Sequence, residues 1–242
     1  MKLKLQSSLC CTLAISFMMA QTSSQAADNA ANQEPPIVTP GAMPSQAPSD
    51  AIVLFDGSSF DQWESVNGGP VKWEIKDGAM VVNRSGNVRT KETFGDVQLH
   101  IEWATPDKVV GEGQGRGNSG VYLQGRYEIQ VLDSYQNKTY FNGQAGAFYG
   151  NNAPLVNASK KPGEWQSYDI VFIAPKPSAD GKSVIPGSFT VFHNGVLIQN
   201  HIPIKGEKTT AATYSGATAK GPLVLQDHSN PVRYRNVWIR PL

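Results

Sequence analysis

The stretch Val121-Tyr122-Leu123-Gln124-Gly125-Arg126-Tyr127-Glu128-Ile129-Gln130-Val131-Leu132-Asp133 alternates apolar and polar residues almost without a break. Side chains of a β-strand point to opposite faces in turn. Val121, Leu123, Tyr127, Ile129 and Val131 therefore share one face, and Tyr122, Gln124, Arg126, Glu128 and Gln130 share the other. The first set suits a core. The second is a row of large hydrogen-bonding side chains. A plainly solvated sheet face alternates in the same way. This row, however, contains no Lys or Ser, and it ends at Asp133, beside the loop aromatics Tyr135 and Tyr140. It reads as the floor of a polar cleft that suits sugar hydroxyls.

The pattern continues to either side. Lys72-Trp73-Glu74-Ile75 and Ala79-Met80-Val81-Val82 flank Asp77-Gly78, a strong hairpin signal. Gln98 to Trp103 alternates, with Leu99, Ile101 and Trp103 on one face and Gln98, His100 and Glu102 on the other. Tyr168 to Ile173 and Phe189 to Phe192 read as further strands, and Asn194-Gly195 turns the chain into Val196-Leu197-Ile198. Leu223 to Gln226 and Arg233 to Arg240 complete the set. No window carries a convincing amphipathic helix, and no internal repeat is visible. Many short strands with Gly, Pro, Asn and Asp between them predict an all-β, antiparallel sandwich or barrel.

The N-terminus predicts export. Lys2 and Lys4 precede an apolar stretch from Leu9 to Ala20, and small residues follow at Ser24-Gln25-Ala26-Ala27. This order is that of a secretory signal peptide, here residues 1–27, and the stretch is shorter than the ~20 apolar residues of a membrane span. Both cysteines, Cys10 and Cys11, lie inside it, so the mature chain would have no disulfide, thiolate nucleophile or Cys-ligated zinc. They fall at the start of the apolar core, which argues against a lipid-anchored precursor. Residues 28–49, rich in Ala, Pro, Gln, Asn and Ser, read as a disordered tether. Residues 50–242 form one domain of globular composition. Losing Lys2 and Lys4 would take the formal charge from +1 to −1. No basic stripe marks a nucleic-acid partner, and no later segment could span a membrane. The expected location is periplasmic or extracellular, in a bacterial envelope.

Candidate chemistry is sparse. Gly111 to Gly120 is glycine-rich, but a strand rather than a helix follows, so it is not a dinucleotide loop. A loop bordering a site, with Arg116 and Asn118 reaching ligand, is one reading, and a simple connection is the other. His228, in Gln226-Asp227-His228 at a strand end, is a candidate proton carrier. Ser119 and Ser134 lack a nucleophile-elbow setting. No His-x-x-x-His or carboxylate triplet suggests a metal, and no cofactor is expected; calcium on backbone oxygens stays open.

Several motifs now combine. Leu54-Phe55-Asp56-Gly57 before Trp63, Trp73 to Gly78, Thr90 to Asp96 leading into Leu99 and Glu102, and Asn118-Ser119-Gly120-Val121 occur in order. Tyr127 to Asp133, Gly146 to Gly150, Gly163-Glu164-Trp165, Asn194-Gly195, Gly221 to His228 and Arg235-Asn236 follow. This ordered set, over almost all of 51–242, resembles the 3-keto-disaccharide hydrolase family. The resemblance implies a concanavalin-A-like lectin/glucanase sandwich, a jelly roll, and cleavage of glycosides oxidised at C3 of the sugar.

A C3 ketone acidifies the C2 proton. A base removes it, the C1 substituent leaves by elimination, and water adds back. Such a site needs a base, a stabiliser for the enolate oxygen and an acid for the leaving group. A single well-placed carboxylate then suffices, whereas ordinary glycosidases use a pair. Glu128, Gln130 and Asp133 lack the evenly alternating acids of a laminarinase-type strand. We assign Glu128 as base, His228 as acid or enolate stabiliser, and Asp133 as a secondary candidate. Glu102, Arg116, Asn118, Gln130, Tyr149, Gln226 and Arg235 are expected to hold the sugar, with Trp165 stacking on it or buried in the sandwich. The competing functions are a non-catalytic carbohydrate-binding module and a structural module of the envelope. The oligomeric state is not legible.

Overall fold

The computed structural model describes residues 43, 45–180, 183–204 and 208–242. The expected signal peptide and the expected tether, apart from residues 43 and 45–49, lie outside the described residues. The strands are β1 Ile52–Phe55, β2 Trp63–Ser65, β3 Glu74–Lys76, β4 Ala79–Val81, β5 Val88–Thr90, β6 Val97–Ala104, β7 Ser119–Leu123 and β8 Tyr127–Val131. They continue as β9 Gln166–Ile173, β10 Lys176–Pro177, β11 Val184–Ile185, β12 Ser188–His193, β13 Val196–Pro203, β14 Val224–Leu225 and β15 Arg233–Pro241. Among the described residues the helical segments are two single 3₁₀ turns, Gly113–Gly115 and Phe141–Gly143. No helix there is long and apolar enough to cross a membrane.

The strands make two antiparallel sheets. The larger runs β13-β12-β9-β6-β15-β4-β3, with β1 also paired to β15. The smaller runs β2-β5-β14-β7-β8, and β10 and β11 form a separate ribbon. The expected hairpins form as their turn residues require. Asp77 and Gly78 have φ of 51° and 72°, and Asn194 and Gly195 have 52° and 78°, the positive pairs of a type I′ turn.

Val121 to Val131 is not one strand. The chain reverses at Gln124 and Gly125, whose φ values are 54° and 64°, so β7 and β8 lie side by side with Leu123 opposite Tyr127 and Tyr122 opposite Glu128. The alternation hid this turn because three residues, 124–126, separate the strands. An odd number keeps the apolar residues of both strands on the same face.

The two sheets pack face to face, as an antiparallel β-sandwich. Trp103, Tyr168, Phe172 and Phe189 of the larger sheet and Leu123, Tyr127, Ile129 and Val131 of the smaller are all at most 2% exposed. Each such large side chain contributes about 1.5–3 kcal/mol by leaving water. Tyr127 meets Phe172 and Phe148 meets Phe189, with ring centroids 6.0 Å and 5.4 Å apart. Hydrogen bonds also cross the core: the Tyr168 hydroxyl donates to the Gln130 carbonyl, and that of Tyr234 to Ser119 Oγ, both at 2.7 Å. Residues that alternate with these core positions, such as Glu102 on β6 and Glu128 on β8, therefore lie on opposite outer faces of the sandwich.

Candidate active site

The polar row lies on the outer face of the smaller sheet, doubled back on itself. Glu128 has a tyrosine on either side. Tyr122 is its cross-strand partner on β7. Tyr149 is its neighbour on the other flank, where Ile129 bridges Phe148 and the Tyr149 N–H donates to the Glu128 carbonyl at 3.1 Å. Gly120 faces Gln130, and the missing Cβ lets the Glu128 carboxyl and the Tyr122 ring close over the Gly120 backbone. A Cβ there would stand 2.5 Å from Glu128 Oε1 and 2.7 Å from Tyr122 Cε2. Gln226, at the end of β14, donates through Nε2 to the Tyr122 hydroxyl at 3.0 Å.

Glu128 is 2% exposed. The orientation of the Gln130 amide that satisfies its surroundings donates to the Ser119 carbonyl at 2.9 Å and to Glu128 Oε1 at 3.0 Å. Glu128 Oε2 is buried without a hydrogen-bond partner, and so is Gln226 Oε1. Buried polar atoms are nearly always paired, so each of these open acceptors is available to a donor. Burial pushes the Glu128 carboxyl up to about 8, against a smaller opposing pull from the Tyr122 hydroxyl. Burial, with the charge of Glu128 behind it, raises Tyr122 above the ordinary phenol range.

The Gly-rich loop before β7 is fastened to this face. Gln114 donates to Thr139 Oγ1 at 3.1 Å and to the Gly143 carbonyl at 2.8 Å, and Asn118 Nδ2 donates to the Gln114 carbonyl at 2.7 Å. Arg116 and Asp133 hold each other: Nε lies 2.7 Å from Asp133 Oδ2, and the guanidinium also reaches the Tyr135 carbonyl at 3.0 Å. Asp133 Oδ1 accepts from the Tyr135 N–H at 3.2 Å. Both side chains thus fasten one loop. Tyr140 sits at the mouth of the face, 48% exposed, with its ring lying on Gly143 and its hydroxyl bonded to that of Tyr149.

His228 is exposed on the segment that follows β14. The neighbouring Asp227 is engaged by backbone N–H groups of Gly86 and Ser229, each at 2.9 Å.

Glu102, Trp165 and Arg235 are not with Glu128. They sit on the opposite outer face, around a pocket of about 420 Å³ that His100 and Asp169 also line. Most of its charges are matched among themselves, while the Lys160 ammonium reaches the Trp165 carbonyl at 3.1 Å. Glu102 Oε2 takes Arg235 Nε at 2.6 Å, and Oε1 takes Asn236 Nδ2 at 2.9 Å. His100 Nδ1 lies 2.6 Å from Asp169 Oδ1, and its Nε2 lies 3.8 Å from Glu102 Oε1. Burial disfavours the His100 cation, yet the two carboxylates overcome it and raise His100 to about 9. His100, then Asn236 and Arg235, hold Glu102 at about 2 against burial. The Trp165 ring carries the guanidinium groups of Arg235 and Arg233, 4.1 Å and 5.1 Å from its centroid. Ser45 closes one edge, its carbonyl accepting from Asn236 and from Trp238 Nε1 at 2.7 Å and 3.0 Å. Among the described residues no three His, Cys, Asp or Glu side chains gather as metal ligands.

Residues 50–240 match the family described as the 3-keto-alpha-glucoside-1,2-lyase-like domain. The chain belongs to this family. Within this 3-keto-alpha-glucoside-1,2-lyase-like domain lie both sheets and the Glu128 face. A candidate glycosyl hydrolase from Parabacteroides distasonis, solved at 2.13 Å, is similar over 87% of this chain and 93% of its own, with 47% identity and a TM-score of 0.81. A second from the same organism, solved at 1.70 Å, shares 21% identity and a TM-score of 0.60 over 85% of this chain and all of its own. It shows the shared fold. No curated protein matches the chain.

The positions that sequence reasoning did not assign to the site are Tyr122, Gln114 and Tyr140. Tyr122 was visible in the polar row. That it faces Glu128 became visible only once the hairpin at Gln124-Gly125 was in place. No sequence signal marked Gln114 or paired Tyr140 with Tyr149.

Proposed function

We propose that this protein cleaves glycosides whose sugar carries a ketone at C3, with Glu128 as the base that takes the C2 proton. The observation that carries this reading is the state of Glu128: a carboxyl 2% exposed, with Oε2 unpartnered and its titration moved up to about 8. A carboxyl raised toward the working pH is matched to proton abstraction from carbon, because it holds the incoming proton well yet is still ionised in part. The neighbouring carboxylate in sequence, Asp133, is committed to Arg116. That disfavours the two-carboxylate scheme of ordinary glycosidases, whereas elimination next to a ketone asks for one base. The family match and the 47%-identical candidate glycosyl hydrolase support action on glycosidic bonds.

In this scheme Glu128 removes the proton from C2, and the pair of electrons moves into the C3 carbonyl. The enolate collapses, the C1 substituent leaves, and water adding to C1 while Glu128 returns its proton to C2 completes hydrolysis. The open acceptor of Gln226 would hold a hydroxyl of the ring, and the Gln130 amide would position Glu128. Asn118, whose amide is spent on the loop, and Arg116 would shape the rim. No metal or organic cofactor is required by these steps. The substrate must come from an oxidoreductase that converts a sugar C3 hydroxyl to a ketone. With the N-terminal segment acting as an export signal, the reaction would take place outside the cytoplasm.

The test is aglycone release from matched glucosides with and without the C3 ketone. Release from the keto form alone supports the proposal. Release from the ordinary glucoside indicates a conventional glycosidase, and sugar binding without release from either indicates a carbohydrate-binding module.

A further inference from the structure

We infer that Tyr149 is the proton donor to the departing C1 oxygen, with Tyr140 as the hydroxyl that restores its proton from solvent. The inference rests on the Glu128 reading and adds the acid that the reading leaves open.

The geometry starts from register. Tyr149 stands next to Glu128 across the Ile129–Phe148 bridge, with its N–H on the Glu128 carbonyl at 3.1 Å. Side chains opposite each other in such a pair share a face and lie within about 5 Å at Cβ. A base and an acid so placed can address adjacent carbons of one ring, C2 and C1. Tyr122, the other flank of Glu128, is 1% exposed, and its hydroxyl accepts from Gln226. It is walled in and suits positioning. Tyr149 is only half-buried, and its hydroxyl is bonded to that of Tyr140, which is 48% exposed.

The four side chains form a line, Tyr122–Glu128–Tyr149–Tyr140, that runs from the interior of the sheet face to its mouth. Burial, with the Tyr149 bond and the charge of Glu128 behind it, raises Tyr140, so its proton stays in place at neutral pH. The loop keeps the pair in register because the Tyr140 ring rests on Gly143, where a Cβ would stand 2.1 Å from Cε2. His228 is exposed on the segment after β14.

The step balances as follows. The C2 proton passes to the Glu128 carboxylate, and the C2–H electron pair becomes the enolate. As the C3 carbonyl re-forms, C1 and C2 become doubly bonded and the C1–O bond breaks toward oxygen. That oxygen takes the phenolic proton of Tyr149. Tyr140 passes its proton to the Tyr149 phenolate and recovers one from water; the resulting hydroxide adds to C1, and the Glu128 carboxylic acid returns its proton to C2, which restores the base.

The experiment compares 4-nitrophenyl and methyl 3-keto-glucosides with the mature protein, the Tyr149→Phe and Tyr140→Phe variants, and His228→Asn. Nitrophenolate leaves without a proton and methoxide does not. Tyr149→Phe should lower methanol release by about 100-fold or more, the usual contribution of a general acid, and nitrophenol release by less than about 10-fold. In D₂O the same variant should still exchange the C2 proton of the methyl substrate, which shows a folded site with the Glu128 step intact. Tyr140→Phe should fall between the two. Equal losses on both leaving groups, or a leaving-group dependence that appears in His228→Asn instead, would overturn the proposal while sparing Glu128. Turnover and C2 exchange that survive in Glu128→Gln would instead remove the underlying reading.

Discussion

Tyr122 and Glu128 stand opposite each other on β7 and β8, and the backbone of Gly120 lies beneath both side chains. A Cβ at position 120 would force one or both of these side chains to shift. Gly120→Ala is expected to push the Glu128 carboxyl and the Tyr122 ring apart, at the ~1–3 kcal/mol typical of overpacking. The variant should fold, melt at a lower temperature and lose at least about tenfold in turnover. A crystal structure of the variant with Glu128 and Tyr122 unmoved would contradict this.

Replacing the base itself isolates chemistry from binding. Glu128→Gln preserves the size of the side chain and its contact with Gln130. Turnover of a 3-keto-glucoside should fall by about 10²–10⁴, the range associated with a positioned general base. Affinity for the unreacted substrate, measured by calorimetry, should change little.

The pH dependence follows from the same group. Only ionised Glu128 accepts the C2 proton, so kcat/KM should climb with pH and level off above about 8, where the buried carboxyl titrates. Stability runs the other way. The folded carboxyl holds its proton up to about 8, whereas the unfolded one releases it near the ordinary glutamate value of 4.5. The native state therefore binds more protons in that window, and its stability falls as pH rises from about 4.5 to about 8. Thermal melts of Glu128→Gln should lack that fall, and a slope equal to the parent's would place the titration elsewhere.

On the far face, His100 is tied to Asp169 and lies near Glu102, with its ring stacked on Trp238 at 5.3 Å. Its cation is stabilised in the fold, with titration raised from 6.5 to about 9. That contribution is complete below about 6.5 and disappears as pH rises through about 9. His100→Gln is expected to destabilise the domain by about 1–3 kcal/mol at pH 6, as for a lost hydrogen bond to a charged group, and to differ less from the parent at pH 9.5. Turnover per folded molecule should stay within about twofold, because the core separates this cluster from Glu128. A large loss of turnover in a fully folded variant would connect the two faces.

Much of the sandwich is legible from local pattern. Asp77-Gly78 and Asn194-Gly195 announce hairpins because each of these residues tolerates the positive φ of a tight turn. Gln98 to Trp103 announces its two faces by period alone. At Gln124-Gly125 the same signals compete: both φ values are positive, yet the alternation passes through the turn in phase and reads as one strand. Glu128 and Gln130 were legible as a polar row. Glu102, Trp165 and Arg235 were grouped with them, because residue type does not report which of two outer faces a strand presents.

The sequence by itself determined the longer strands other than the β7–β8 division, the Asp-Gly and Asn-Gly turns, much of the core face and the family, because these depend on backbone preference, two-residue periodicity and ordered motifs. Tertiary structure alone decided that Glu102 with Arg235 and Glu128 lie on opposite faces, that Asp133 is held by Arg116, and that Tyr122 and Tyr149 flank Glu128. Those relations depend on pairing between strands distant in sequence and on burial. Burial is what moves the Glu128 carboxyl into the range of a base, and no local run of residues encodes it.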